Sequence, residues 1–204
     1  MLPSAPFLPD TIRYAFRAYR QGMAAELLVR AWLALELDCD PIAVALLRDA
    51  LGRPQLGGVQ RRFDVNWSHS GEGLLIALGD GVQVGADIER VRPRPRALAL
   101  AKRFFAPAES ERLAALPQDQ GELAFIRLWC AKEAVLKAHG RGLAFGLDQL
   151  VFAEEHGALQ LVECGNLLGQ PHDWSLREFE PEPGYRAAIA WRARRTPSFA
   201  MEPR

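Results

Sequence analysis

The chain has 204 residues, 49% hydrophobic and 25% charged, enough to bury a real core as one domain or two small ones. Its 25 basic and 25 acidic residues cancel, which excludes the basic excess of proteins whose main partner is nucleic acid. Three scattered cysteines, a start without signal-peptide pattern and no apolar run near the roughly 20 residues that span a bilayer point to a reduced, cytoplasmic protein with no membrane partner and no cysteine-held zinc.

Residues 1–10 are Pro-rich and read as extended. A helical pattern runs from Thr11 to Glu36, strongest from Ala24, with Arg13, Arg17 and Arg20 at its start as either a solvated face or a phosphate contact. A second, shorter helix is expected from Asp40 or Pro41 to Ala50, before Gly52-Arg-Pro54 breaks it. The texture then changes. Phe63, Val65 and Trp67 alternate with Asp64, Asn66 and Ser68, predicting a strand, and Leu74–Leu78 and Val82–Ile88 follow as a second and third strand of an antiparallel meander. Helix is expected from Ala97 through Phe104-Phe105, and again from Pro107. Residues 116–121 read as a loop, Glu122–His139 as a long helix stopped by Gly140 and Gly142, and strands as Leu150–Ala153, Leu159–Glu163, Ser175–Phe179 and Arg186–Trp191.

Two stretches carry the chemistry. On a helix, Glu133 and Lys137 stand four apart on the arc that also holds Phe125, Ile126, Trp129, Cys130 and Leu136, so their charges need partners in a core. On the strand Val82–Glu89, alternation puts Val82, Val84, Ala86 and Ile88 on one face, Asp87 and Glu89 on the other. Those two carboxylates are either the wet side of a half-buried strand or, facing the helix, part of a cage for a hard divalent cation on phosphate. Ser68 and His69 point to opposite sides of a strand and so form no nucleophile–base pair; His69 is a phosphate ligand or a structural histidine. His139, His156 and His172 have no metal spacing.

The ordered set Gly52-x-Pro54, Asn66-x-Ser-His-Ser70, Gly85-x-Asp-x-Glu89, Lys102-Arg-Phe-Phe105, Trp129-x-x-Lys-Glu-Ala134, Lys137 and Gly140-x-Gly-Leu143 resembles the 4′-phosphopantetheinyl transferases of the surfactin-synthetase-activating type. The resemblance implies an α+β fold of two similar halves in one chain, a pseudo-dimer with the ligand cleft between them. Residues 1–84 would be the half on the adenine and 3′-phosphate side of coenzyme A. Residues 85–204 would carry the metal site, the catalytic helix and the carrier-protein side. It also implies Mg2+-dependent (or Mn2+-dependent) transfer of phosphopantetheine from coenzyme A to a serine of an apo acyl or peptidyl carrier protein, releasing 3′,5′-ADP, by a protein for which a monomer suffices. By likeness of motif, Asp87, Glu89 and Glu133 hold the metal, and Lys137 touches the diphosphate. Ser68 and His69 meet coenzyme A phosphates, Arg53 and Pro54 line the adenine side, and Arg103, Phe104 and Phe105 meet the carrier. Glu133 is the expected base, with a water or Glu89 as alternatives.

Two departures stand out: Pro6 and Pro9 occupy the region where such proteins carry lysines for the 3′-phosphate, and Arg53 replaces a lysine. Two other classes fit the same residues: a non-catalytic binding module for coenzyme A or carrier protein, and a Mg2+-dependent phosphodiesterase acting on nucleotides.

Overall fold

The computed structural model describes residues 8–142 and 145–194. Residues 1–7 of the Pro-rich start and Leu143 of the Gly140-x-Gly-Leu motif lie outside the described residues. The elements are β1 (Ile12–Ala18), α1 (Ala25–Glu36), β2 (Leu46–Arg48), β3 (Pro54–Leu56), β4 (Phe63–Ser70), β5 (Gly73–Asp80), β6 (Val82–Arg90), α2 (Ala97–Phe104), α3 (Pro107–Ala114), α4 (Gln118–His139), β7 (Leu150–Glu155), β8 (Ala158–Cys164), β9 (Ser175–Phe179) and β10 (Tyr185–Ala193).

Two three-stranded antiparallel sheets form the centre, in the orders β1-β5-β4 and β6-β10-β9. Alternation along each strand gives each sheet two apolar faces, and the molecule stacks them in four layers. α1 covers the outer face of the first sheet through Val29, Trp32 and Leu33 against Val65, Leu74, Ile76 and Leu78. The inner faces meet through Leu75 and Ala77 on one side and Val84, Ala86, Ile88, Ala187 and Ile189 on the other. α4 covers the outer face of the second sheet, packing Cys130, Ala131, Ala134 and Ala138 with Ala188 and Ala190. Each half is thus a sheet backed by one long helix: an α+β fold, as expected.

Three expectations fail locally. Ile12–Ala18 is a strand, not the start of a helix, because it completes the open edge of β5 with Ile12 opposite Gly79 and Ala18 opposite Gly73; a sheet edge outweighs weak helical propensity. The helix predicted over 40–50 shrinks to a 3-10 turn, Pro41–Ala43, after which Leu46–Arg48 pairs with Pro54–Leu56. The buried Gln60 side chain holds that extended path by accepting from Ala45 N at 3.0 Å and donating to Ala43 O at 3.3 Å. The meander also stops after two strands: β6 leaves β5 and pairs with β10 from Val82–Ala193 to Arg90–Tyr185.

What joins β6 to the first sheet is a row of side chains. Asp64 Oδ2 accepts from Val84 N at 2.8 Å and Asn66 Oδ1 from Ala86 N at 3.1 Å, while Ser70 Oγ accepts from Arg90 N at 3.1 Å. The polar face of β4 therefore stands in for a backbone ladder, and at Val84 and Ala86 it satisfies buried amides that would otherwise be orphaned. α4 begins at Gln118, earlier than the predicted Glu122, and ends where Gly140 takes a left-handed φ of 88° and donates to Leu136 O. No helix among the described residues is long and apolar enough to cross a membrane.

Candidate active site between the two sheets and the long helix

The site lies where β4, β6 and α4 converge. Gly85 makes the convergence close: a Cβ there would stand 2.0 Å from Ala134 O and 2.4 Å from Ala138 N, so α4 rests on bare backbone. Asp87 and Glu89 follow on the same face of β6, and so point toward the helix rather than to solvent.

Lys137 reaches down from α4 and donates from Nζ to Asp87 Oδ1 at 2.6 Å and to Ser68 Oγ at 2.9 Å. Ser68 Oγ donates in turn to Asp87 Oδ1 at 2.7 Å. The second oxygen of Asp87 is buried with no hydrogen-bond partner, and so is Glu133 Oε1. Glu89 takes a different cation: Arg94 Nη2 lies 2.5 Å from its Oε2, which also accepts from Ser70 Oγ at 2.9 Å. Burial, then the charge of Asp87, pushes the Glu133 carboxyl up to about 7, partly opposed by Lys137. For Lys137 burial works against the charge, but Asp87 and Glu133 outweigh it and the ammonium is held above its ordinary range.

Sequence reasoning placed Asp87, Glu89, Glu133, Lys137 and Ser68 at one site, and the structure brings them together. It does not bring the three carboxylates into a closed cage: among the described residues no three His, Cys, Asp or Glu side chains are set as a ready metal centre. The two strand carboxylates are each paired with a cation, Asp87 with Lys137 and Glu89 with Arg94.

Beside Lys137 opens a cavity of about 240 Å3 lined by Arg48, Leu51, Gly52, Arg53, Pro54, Asn66, Trp67, Gly140 and Gly142. Arg53 and Pro54 are in its wall, as expected, but the guanidinium of Arg53 is committed to protein. It pairs with both oxygens of the buried Asp64 and donates to Lys137 O at 3.0 Å and Val84 O at 3.1 Å. It is a clamp between the halves rather than a cation offered to a ligand. Arg48 and Trp67, which sequence reasoning passed over, stack at 5.3 Å across the cavity. Their signal was faint: Arg48 sits in a stretch misread as helix. His69 points away from Ser68, is exposed, and stacks on Tyr19 with ring centroids 4.6 Å apart. Arg13 does not wait for a phosphate either; it pairs with Glu36 at 2.9 Å.

At the other end of the site, α2 exposes Lys102 and Arg103, with Arg103 over the half-buried Phe104 ring at 4.9 Å. Phe105, expected beside them on the surface, is 4% exposed and stacked on Phe125 at 5.2 Å, because it closes the core between α2 and α4. Leu98 and Leu116 instead line an open groove of about 340 Å3 that Arg94 borders.

Comparison with known proteins places the chain in a family. The family model of the 4′-phosphopantetheinyl transferase superfamily matches residues 83–190, which hold β6, α4 and everything between. The chain is 35% identical to the 4′-phosphopantetheinyl transferase HetI of Nostoc sp., over 87% of this chain and 73% of that protein. It is 28% identical to the 4′-phosphopantetheinyl transferase Sfp of Bacillus subtilis, over 82% and 71%. AcpT of Escherichia coli, another protein of that name, is 37% identical over 48% of this chain and 50% of its own. Holo-[acyl-carrier-protein] synthase of Thermotoga maritima superposes with a TM-score of 0.44 at 19% identity over 55% of this chain and 64% of that one, too slight a likeness to carry the fold.

Proposed function

Because this chain belongs to the 4′-phosphopantetheinyl transferase superfamily, we propose that it moves the phosphopantetheine arm of coenzyme A onto a serine hydroxyl of an apo acyl or peptidyl carrier protein, releasing 3′,5′-ADP. It is an enzyme of the 4′-phosphopantetheinyl transferase class. The observation that carries the finer reading is the meeting of Lys137, Asp87 and Glu133 beside the cavity walled by Gly52–Pro54.

In this reading the cavity takes the adenine end of coenzyme A, with Trp67 and Arg48 as a stacking surface and Pro54 as its floor. Residues 1–84 are then the coenzyme A half and residues 85–204 the half that holds the metal and receives the carrier. Ser68 and the exposed ring of His69 meet phosphate oxygens from β4. Asp87, Glu89 and Glu133 would hold Mg2+ (or Mn2+): two of their oxygens are buried without a partner, and an all-oxygen set suits a hard cation. When bound, such a cation offsets charge on the diphosphate. Lys137 adds a point charge against the same oxygens, and its grip on Asp87 orients both. The carrier's serine oxygen forms the new bond to phosphorus as the bond to the 3′,5′-ADP oxygen breaks, and the serine proton goes to Glu133. Burial and the charge of Asp87 raise the Glu133 carboxyl in the metal-free site, and a bound cation would oppose that rise, so a water or Glu89 stays an alternative base. The nucleophile comes from the partner, so no protein nucleophile is needed. The carrier approaches along α2, where Lys102, Arg103 and the Leu98–Leu116 groove offer positive charge beside apolar surface. The cysteines are free, in keeping with a reducing cytoplasm.

The test is intact-mass measurement of an apo carrier protein after incubation with the enzyme, coenzyme A and Mg2+. A gain of one phosphopantetheine is expected. Cleaved coenzyme A with an unchanged carrier would establish a phosphodiesterase instead, and no change in either would leave only a binding module.

A further inference from the structure

Lys132 directly precedes Glu133, yet neighbouring residues on a helix point about 100° apart, and Lys132 faces away from the cleft. Its side chain and that of Glu109 on α3 are wholly buried, at 0% exposure each. Lys132 Nζ donates to Glu109 Oε2 at 2.6 Å, to Leu147 O at 2.9 Å and to Leu150 O, which uses all three of its protons. Glu109 accepts in addition from Phe152 N at 2.9 Å and Ala106 N at 3.1 Å. The group is fully satisfied and leaves no room for a ligand.

A buried ion pair of this kind adds little net stability over apolar side chains of the same volume, because desolvation offsets the attraction. What it supplies is direction. An apolar side chain can slide in its pocket, whereas three hydrogen bonds to α3, the 147–149 turn and β7 fix α4 both along and about its axis. On the opposite side of the same helix, Gly85 receives Ala134 and Ala138 in backbone contact. Glu133 lies between these two fixings, and Lys137 one turn further on.

We propose that the Lys132–Glu109 pair is a positioning strut that sets the register of α4, so that Glu133 and Lys137 meet Asp87. This rests on the site reading above. A slip of one residue moves a helix about 1.5 Å and turns it about 100°. Misplacement of about 1 Å at a reacting group costs on the order of 100-fold in rate.

The test replaces the pair with apolar side chains in the double variant Lys132→Met/Glu109→Leu. The variant should fold with a Tm close to that of the wild type. Its kcat on an apo carrier should fall at least ~10-fold with KM for coenzyme A within ~2-fold. Mn2+ affinity, read by electron paramagnetic resonance without turnover, should weaken at least ~3-fold, because Glu133 is displaced. A folded double variant with wild-type kcat and Mn2+ affinity overturns the strut. Should it not fold, Glu109→Gln serves, since its single oxygen cannot meet Lys132, Phe152 N and Ala106 N together. A lower kcat at unchanged KM supports the strut, and a wild-type kcat overturns it. A wild-type protein that leaves carrier and coenzyme A untouched would instead remove the site reading, and this inference with it.

Discussion

In the proposed reaction Glu133 has the largest part of any single side chain. It is 7% exposed, one of its oxygens has no partner, and burial with the charge of Asp87 lifts its carboxyl from the ordinary 4.5 to about 7. A group whose native pKa is raised in this way binds a proton that the unfolded chain has already lost. Without Mg2+, stability should therefore fall as pH rises from about 4.5 through about 7, by at most a few kcal/mol. Thermal melts at pH 5 and pH 8 will show this as a drop in Tm. In Glu133→Gln the drop should be smaller, and at pH 8 the variant should melt higher than the wild type. The same substitution should lower carrier modification by on the order of 100-fold or more, read by the mass assay. Near-normal turnover in a folded Glu133→Gln would remove Glu133 as base. Lys137→Met, which leaves Asp87 buried beside Glu133 without its cation, should cut turnover by a similar factor; it should also lower the Mg2+ concentration needed for half-maximal rate, because the ammonium no longer competes for Asp87.

At the scale of elements, the decisive contact is β6 against α4. Asp87 and Glu89 meet the helix only because Gly85 lets its backbone come down onto the strand. Gly85→Ala would drive a methyl group into Ala134 O and Ala138 N, atoms that cannot rotate away. We expect a loss of about 1–3 kcal/mol by urea denaturation. The loss in kcat should exceed what the unfolded fraction explains, since lifting the helix separates Lys137 from Asp87. Gly140→Ala touches the other end of the helix. There the left-handed φ of 88° and the Arg53 Cδ that a Cβ would meet at 2.8 Å both oppose a side chain. A loss of about 1 kcal/mol by the same measurement is the expected outcome.

Across the whole molecule, Arg53 ties three parts together: Asp64 on β4, Val84 on β6 and the carbonyl of Lys137 on α4. Its side chain is 9% exposed and that of Asp64 2%, so this pair is a buried one, and without Arg53 the carboxylate keeps only the more exposed Arg194, 3.6 Å from its Oδ1, as a cation. Arg53→Met should cost about 2–3 kcal/mol by urea denaturation, less than a fully unpaired buried charge would, because Arg194 still faces Asp64. Arg53→Lys should recover only part of it, because an ammonium cannot span both carboxylate oxygens and two carbonyls at once. A loss below about 1 kcal/mol in Arg53→Met would show that Arg53 adds little to the apolar packing and the β4 side-chain row that already join the halves.

Much of this was legible in the chain itself. Alternation over Val82–Glu89 assigned Asp87 and Glu89 to one face and Val84, Ala86 and Ile88 to the other, and the structure keeps that division because strand geometry is local. The four-residue spacing of Glu133 and Lys137 put both on one side of α4 for the same reason. Partner choice was not legible. Nothing in β6 says that it pairs with β10 a hundred residues on rather than with β5, and nothing in Ile12–Ala18 says that an open sheet edge will claim it. Arg53 read as a ligand cation and Phe105 as surface because neither Asp64 nor Phe125 is near them in sequence. Periodicity and spacing follow from bond geometry within one element, so the chain determines them alone. Which strand closes which sheet, which charge is already neutralised and which ring is buried depend on free energies of contact between distant segments, and only the packed tertiary structure decides them.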